Sequence, residues 1–420
     1  MANDNTTPST SNDKLGVLLP GLGAVATTFI AGCHLARKGA GVPIGSLSQL
    51  GTMKVDGEDK PKKISELLPI ANLDNLSFAG WDVREDDAYA VAQNAGVLER
   101  HHLEAVKDEL SAVHPMKAAF FQKDIPRLEP SFVKTGNRAD LVDQLRQDIR
   151  DAKAKMGVDR LVAVWCGSTE RYVEPSAVHQ SIDAFEAGLK ADDDNITGSM
   201  LYAWACLKEG VPYANGSPNL TVDTPAAIAL ANETRTPICG KDFKTGQTLI
   251  KTILAPGLKA RMLGMEGWFS TNILGNRDGL VLDEPANFKT KEVSKLSVLE
   301  QILEPEAHPD LYGDLSHLVR INYYPPRGDQ KEGWDNIDLL GWMGYKMQIK
   351  VNFLCRDSIL AAPVVLDLAL FMDLCKQKDM RGVVDGLSIY FKSPQDSANG
   401  IEHDLFKQSA RLEAMLRSFM

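Results

Sequence analysis

"KLGVLLPGLGAVATTFIAGCHLARKGAG", residues 14–41, decides the fold. Leu15 to Leu19 is an apolar run of strand length. Gly21 to Gly23 reads as a tight turn, and Ala24 to Arg37 as a helix that stops near Gly39. Gly21-Leu22-Gly23 followed by Ala24, Val25 and Ala26 fits G-x-G-x-x-A, the opening strand–turn–helix of a dinucleotide-binding unit. The first glycine permits the turn, the second lets a pyrophosphate approach the backbone, and the small Ala26 allows close helix–strand packing. The helix start adds N–H groups and a partial positive charge for phosphates.

Working outward, "DRLVAVWCGSTE" (159–170) holds a second buried strand, Leu161 to Trp165, ending in Gly167, Ser168 and Thr169. "GVPYANGSPN" (210–219) repeats the pattern and runs into Gly216 and Ser217. Ligands in open α/β sheets sit beyond the carboxyl ends of strands, so both polar ends are candidate cofactor positions. Helical patterning over 84–112 and 138–156 separates these strands, which predicts a parallel, doubly wound sheet of Rossmann type. Near residue 240 the character changes. "LVRINYYPP" (318–326) and "YKMQIKVNFL" (345–354) alternate apolar and polar residues, as half-buried antiparallel strands do. The expected organisation is a disordered tail over 1–13 and a dinucleotide-binding domain over 14–248. An inserted α+β domain then covers 249–360, and helices over 361–420 return to the first domain.

A net charge of −10 argues against general polyanion binding, so no nucleic-acid partner is expected. The six cysteines form no CxxC pair and no metal-finger spacing with the eight histidines; buried, reduced thiols in a cytoplasmic protein are expected. The longest apolar stretch, "ILAAPVVLDLALFM" (359–372), contains Asp367 and falls short of the roughly 20 residues of a bilayer span. It reads as a buried helix, with no membrane partner.

The chemistry gathers at turns. "FKTKEVSK" (288–295) places Lys289, Lys291 and Lys295 in eight positions of an acidic chain, either as a solvated face or as an anion pocket. "CGKDFKTGQT" (239–248) sets Thr245, Gly246, Gln247 and Thr248 at a helix start, either as an ordinary N-cap or as a second anion site. "LGNRDG" (274–279), "RGDQK" (327–331), "CRDS" (355–358) and "YFKSP" (390–394) add Asn276, Asp278, Asp329, Lys331, Asp357, Ser358 and Lys392. Asp357 also reads as a helix cap. Together these acids and amines suit a pocket that binds a phosphate and moves protons, because clustered amines lose some proton affinity. The chain has no G-x-S-x-G, H-E-x-x-H or P-loop motif.

"LPGLGAVATT", "WDVREDD", "VWCGSTERY", "NGSPN", "KDFKTGQT", "LGNRDG", "FKTKEVSK", "GDQK", "CRDSILAAPVVLDL" and "YFKSP" occur in the order of the myo-inositol-phosphate synthase family, which the chain resembles over nearly its whole length. The resemblance implies conversion of D-glucose 6-phosphate into 1D-myo-inositol 3-phosphate by C5 oxidation, enolisation, intramolecular aldol closure and re-reduction, with NAD returned unchanged. It implies that Lys291, Lys295, Lys331 and Lys392 are active-site lysines, with Lys291 and Lys392 handling the C5 oxygen and its proton. Lys295 and Lys331 would pair with the phosphate or the C1 oxygen, and Thr245 to Thr248 would cradle the phosphate. Asp242, Asp278, Asp329 and Asp357 match acidic positions that contact NAD or position the lysines. Gly21 to Val25, Asp82, Gly167 to Thr169, Gly216, Ser217, Asn276 and Ser358 match cofactor positions, Asp82 on the adenosine ribose. Ammonium or a divalent cation as accessory, and a homotetramer built on 249–360, are further family expectations. The chain departs from common family residues at Ala24-Val25-Ala26, Ser168, Arg277, Gln330 and Arg356. Two rivals are an NAD(P)-dependent oxidoreductase with net redox turnover, and a cofactor-binding regulatory protein without catalysis.

Overall fold

The computed structural model describes residues 14–55, 57–282, 284–287 and 298–420, with Arg277, Asp278 and Leu282 described by backbone alone. β1 (Leu15–Pro20) is buried along its whole length and feeds, through Gly21-Leu22-Gly23, into α1 (Ala24–Arg37). β2 (Leu76–Asp82) and the two-residue β3 (Met116–Lys117) follow. α2 (Arg138–Met156) starts with a capping box between Asn137 and Asp140 and ends at Gly157 in the left-handed conformation, so both ends are fixed by local sequence. β4 (Arg160–Trp165), α3 (Gly198–Lys208), β5 (Tyr213–Asn215), α4 (Pro225–Glu233) and β6 (Pro237–Gly240) complete the alternation.

After β6 the chain leaves this sheet. α5 (Gly246–Ala260) lies against a second, four-stranded sheet of β7 (Gly264–Leu274), β8 (Ser316–Tyr323), β9 (Gln330–Leu340) and β10 (Lys346–Arg356), in the order β8-β7-β9-β10. β9 pairs antiparallel with both β7 and β10. β8, however, pairs parallel with β7, from Ser316↔Gly267 to Tyr323↔Leu274. The antiparallel expectation for 318–326 is therefore corrected. Alternation reports that one face is more covered than the other and carries nothing about direction, which here follows from the long crossover between β7 and β8.

α6 (Asp357–Gln377) then returns to the first sheet, followed by β11 (Gly382–Val383) and α7 (Leu405–Arg417). The first sheet has seven parallel strands in the order β11-β6-β5-β4-β1-β2-β3, and the order in which strands are added reverses between β1 and β4. One face is covered by α1 and α6, the other by α2, α3 and α4. At 21 residues α6 is longer than the apolar stretch it contains, and by length and composition it would span a bilayer. It is instead spent inside the fold, packed on α1 and β4. Its one central charge, Asp367, is fully buried and accepts from Ser46 Oγ (2.6 Å), the backbone N–H groups of Leu47 (2.7 Å) and Ser48 (2.9 Å), and Tyr390 Oη (3.0 Å). Four donors around one carboxylate make its burial tolerable.

Candidate active site

The reversal between β1 and β4 opens a cleft at the strands' carboxyl ends, with a cavity of about 250 Å³. Gly21 has φ +87°, and the N–H groups of Gly21 and Leu22 donate to Trp81 O at 2.9 and 3.1 Å. A Cβ on Gly21 would stand 2.4 Å from the Cα of Gly167, so the loops after β1 and β4 touch where only glycine fits. Around Gly23 the space is open, and no side chain caps α1, whose first N–H groups face the cleft together with Ala24 and Val25. Leu22 points the other way, into the core, so its share in any cofactor contact is backbone only.

Asp82, at the end of β2, lines the cleft and turns the chain by accepting from Arg84 N–H (3.2 Å). Gly167, Ser168 and Thr169 form the opposite lip. At Gly216 a Cβ would meet Phe243 Cζ at 2.2 Å and Trp165 O at 2.3 Å, and Ser217 N–H is held by Asn215 Oδ1 (3.1 Å). Sequence reasoning missed the apolar floor: Ala118, Ala119 and Phe120 after β3, Tyr202 from α3, and Phe243. The topology alone signals the first three, because β3 lies beside β2 and its end must face the same crevice.

The cleft's inner end carries charge. Residues 241–244 and 390–393 zip together: Lys392 N–H donates to Asp242 O (2.7 Å), Lys241 N–H to Ser393 O (2.8 Å) and Lys244 N–H to Tyr390 O (2.7 Å). That pairing sets Lys392 Nζ 3.0 Å from Asp242 Oδ1, with both residues under 5% exposed and Asp242 at φ +64°. From the second sheet, Lys331 on β9 reaches Asp357 Oδ2 at 3.4 Å. Asp329 sits behind the cleft, where it accepts from Asn276 Nδ2 (3.0 Å), Ser358 Oγ (3.0 Å) and Ser358 N–H (3.3 Å). Burial raises the Asp329 carboxyl above its ordinary range against the pull of those donors. Asp357, Lys331, Asp329 and Lys392 all lie within electrostatic reach of Cys355, whose thiol burial pushes up to about 11.

Gly246, at φ +56°, opens α5, and a Cβ there would come within 3.9 Å of Lys331 Nζ. Thr245 is the N-cap residue but its side chain makes no capping bond, so the ordinary-cap alternative does not describe it. Backbone N–H groups at a helix start with an ammonium above them form a cradle for a phosphate. Thr248 is buried in the same turn. The Gln247 side chain is turned away: its amide donates to Thr271 O, Trp334 O and Asp335 Oδ2 and accepts from Asn272 Nδ2 (2.8 Å). It offers an anion its backbone N–H.

Lys291 and Lys295 lie outside the described residues, as does the side chain of Asp278. Two buried lysines escaped sequence reasoning as site neighbours. Burial lowers Lys244, paired with Gln408, to about 7, and Lys251, 2.7 Å from His317 Nε2, to about 8. Nothing local in "KDFKTGQTLIK" marks an amine as buried. Among the described residues no three His, Cys, Asp or Glu side chains are placed to hold a metal ion.

The chain is similar over nearly its whole length to known proteins. The myo-inositol-1-phosphate synthase family model matches residues 15–417. Inositol-3-phosphate synthase 1 of Bacteroides thetaiotaomicron is 53% identical over 411 residues, covering 97% of this chain and 96% of that one. Inositol-3-phosphate synthase of Saccharomyces cerevisiae is 31% identical over 404 residues, covering 88% and 75%. The crystal structure of the Caenorhabditis elegans inositol-3-phosphate synthase superposes with a TM-score of 0.89 at 26% identity, covering 97% of this chain and 86% of that one.

Proposed function

The chain belongs to the myo-inositol-1-phosphate synthase family, and from that premise we propose that it is an NAD-dependent isomerase converting D-glucose 6-phosphate into 1D-myo-inositol 3-phosphate. The observation that carries the proposal is the meeting, at one end of a dinucleotide cleft, of the Lys392–Asp242 pair, the Lys331–Asp357 pair and the start of α5. An ordinary dehydrogenase gives no reason for two buried lysines beside a phosphate cradle.

The residues present fit NAD. Gly23 leaves the backbone open at the start of α1, where a pyrophosphate needs close approach; Gly21 and Gly216 line the cleft where its loops pack too tightly for a side chain, and Asp82 offers a carboxylate to ribose hydroxyls. When bound, NAD supplies hydride acceptance from C5 and its later return. The chain supplies the rest. The start of α5 and Lys331 hold the phosphate and fix the substrate's orientation. Lys392, aimed by Asp242 at 3.0 Å, gives and takes the proton at the C5 oxygen. The family resemblance implies that Lys291 joins Lys392 at the C5 oxygen and that Lys295 pairs with the phosphate or the C1 oxygen.

Under the same proposal, a homotetramer forms through the second sheet. Its face away from α5 exposes Phe269, Leu318, Trp334 and Leu354, and the β9–β10 turn exposes Trp342 and Tyr345 at 88% and 75%. Large apolar side chains exposed on one sheet face support an interface there. Six unpaired thiols and the acidic surface support a cytoplasmic enzyme without nucleic-acid or membrane partners. Phosphorus NMR with glucose 6-phosphate and NAD, run with ammonium and with magnesium in parallel, tests the assignment while absorbance follows NADH. A new inositol-phosphate resonance without net NADH is expected. Stoichiometric NADH would mean a plain dehydrogenase, and no conversion under either cation would refute the assignment.

A further inference from the structure

We infer that Asp335 is a positioning residue for the phosphate cradle, acting through Gln247 to fix the start of α5 over Lys331; the inference rests on the function proposed above. Asp335 lies on β9 four residues beyond Lys331, so both side chains point to the face that receives α5. It is 2% exposed. Its Oδ1 accepts from Trp268 Nε1 (2.8 Å) and Ser270 Oγ (2.5 Å), which pin the carboxylate to β7. Its Oδ2 accepts from Gln247 Nε2 (3.1 Å). The same amide reaches two strand carbonyls, Thr271 O and Trp334 O, each at 3.2 Å.

The approach this requires is built into the strand. A Cβ on Gly333 would stand 2.9 Å from Gln247 Cγ and Cδ, so glycine between Lys331 and Asp335 is what lets the helix start come down onto β9. One turn further along α5, Lys251 is also buried and attracted by Asp335, giving the carboxylate a second hold on the same helix. Three donors offset the burial of this carboxylate and hold it in one place. What it orients is the turn whose N–H groups face Lys331. A phosphate is bound by N–H groups and an ammonium that converge on one point, so a helix start released from β9 loses affinity for the anion while the dinucleotide cleft, built on the other sheet, is untouched.

The experiment compares wild type with Asp335→Asn and, in case that variant folds poorly, Gln247→Met. Three readouts are taken: KM and kcat for glucose 6-phosphate, NAD affinity by tryptophan fluorescence, and the thermal shift caused by inorganic phosphate. The expected result is KM raised roughly tenfold or more, from loss of a charge-assisted hydrogen bond, with kcat within about threefold, unchanged NAD affinity, and loss of the phosphate-induced shift. A merely structural role would lower kcat with the folded fraction and leave KM alone; that outcome, or an unchanged phosphate shift in a folded variant, overturns the inference. If wild type makes no inositol phosphate, the proposed function fails, yet the phosphate shift still decides the inference. A wild type indifferent to phosphate overturns it.

Discussion

Lys392 and Asp242 are 150 residues apart in sequence and 3.0 Å apart in space, both almost without solvent contact. Removing one member of such a pair strands the other's charge, whereas neutralising both does not. Lys392→Met is therefore expected to lower turnover by at least about a hundredfold and to lower Tm, while Lys392→Met with Asp242→Asn recovers Tm without recovering turnover. Calorimetry alongside the product assay checks this; recovery of activity in the double variant would remove Lys392 from the proton chemistry. Lys244 gives a pH prediction. Its ammonium titrates at about 7 in the fold against an ordinary 10.5, because burial outweighs the attraction of Asp404 and Glu402. Between those values the unfolded chain holds the extra proton, so this group makes stability rise with pH across that window; below 7 both states are protonated and the burial penalty is present in full. Wild-type Tm should climb more steeply from about pH 7 to 10 than that of Lys244→Met, and equal slopes would contradict the shift.

The elements differ in how far their sequences disclose them. β1, the glycine turn and α1 were readable to within a residue, because a buried strand, a turn glycine and a helix each leave a separate mark. Gly21 ties that legibility to a measurement. Gly21→Ala forces alanine to φ +87° and a methyl to within 2.4 Å of Gly167, so NAD should bind about tenfold or more weakly by calorimetric titration. Wild-type affinity in that variant would place the pyrophosphate elsewhere. In the second sheet the sequence disclosed alternation at β8 but not its parallel partner, since direction is decided by the crossover. Motif resemblance singled out Lys331, Lys392 and the α5 start, which the fold brings to one end of the cleft, but local spacing left each open between cap and site. Gln247 shows why: whether an amide faces a phosphate or a strand depends on Gly333, eighty-six positions away, leaving room for it. Burial of Lys244 and Lys251 was equally invisible, because it is conferred by α7 and by β8 rather than by neighbours in sequence.

At the scale of the molecule, the net charge of −10 argues against a polyanion partner, and the second sheet exposes apolar side chains on its face away from α5. Trp334→Glu places a charge on the face that exposes Phe269, Leu318 and Leu354; light scattering should then find smaller species than wild type at equal concentration, with assembly weakened roughly tenfold or more. Unchanged mass would move the interface off this sheet. The longest reach in the fold is that of α6, which lies on α1 although the whole second sheet separates them in the chain. Ribosomes deliver α1 first and α6 near the end, an interval on the order of tens of seconds. For that time the flank of the first sheet keeps α1 but lacks the helix that packs on both α1 and β4, and a chain halted in between leaves that apolar surface open.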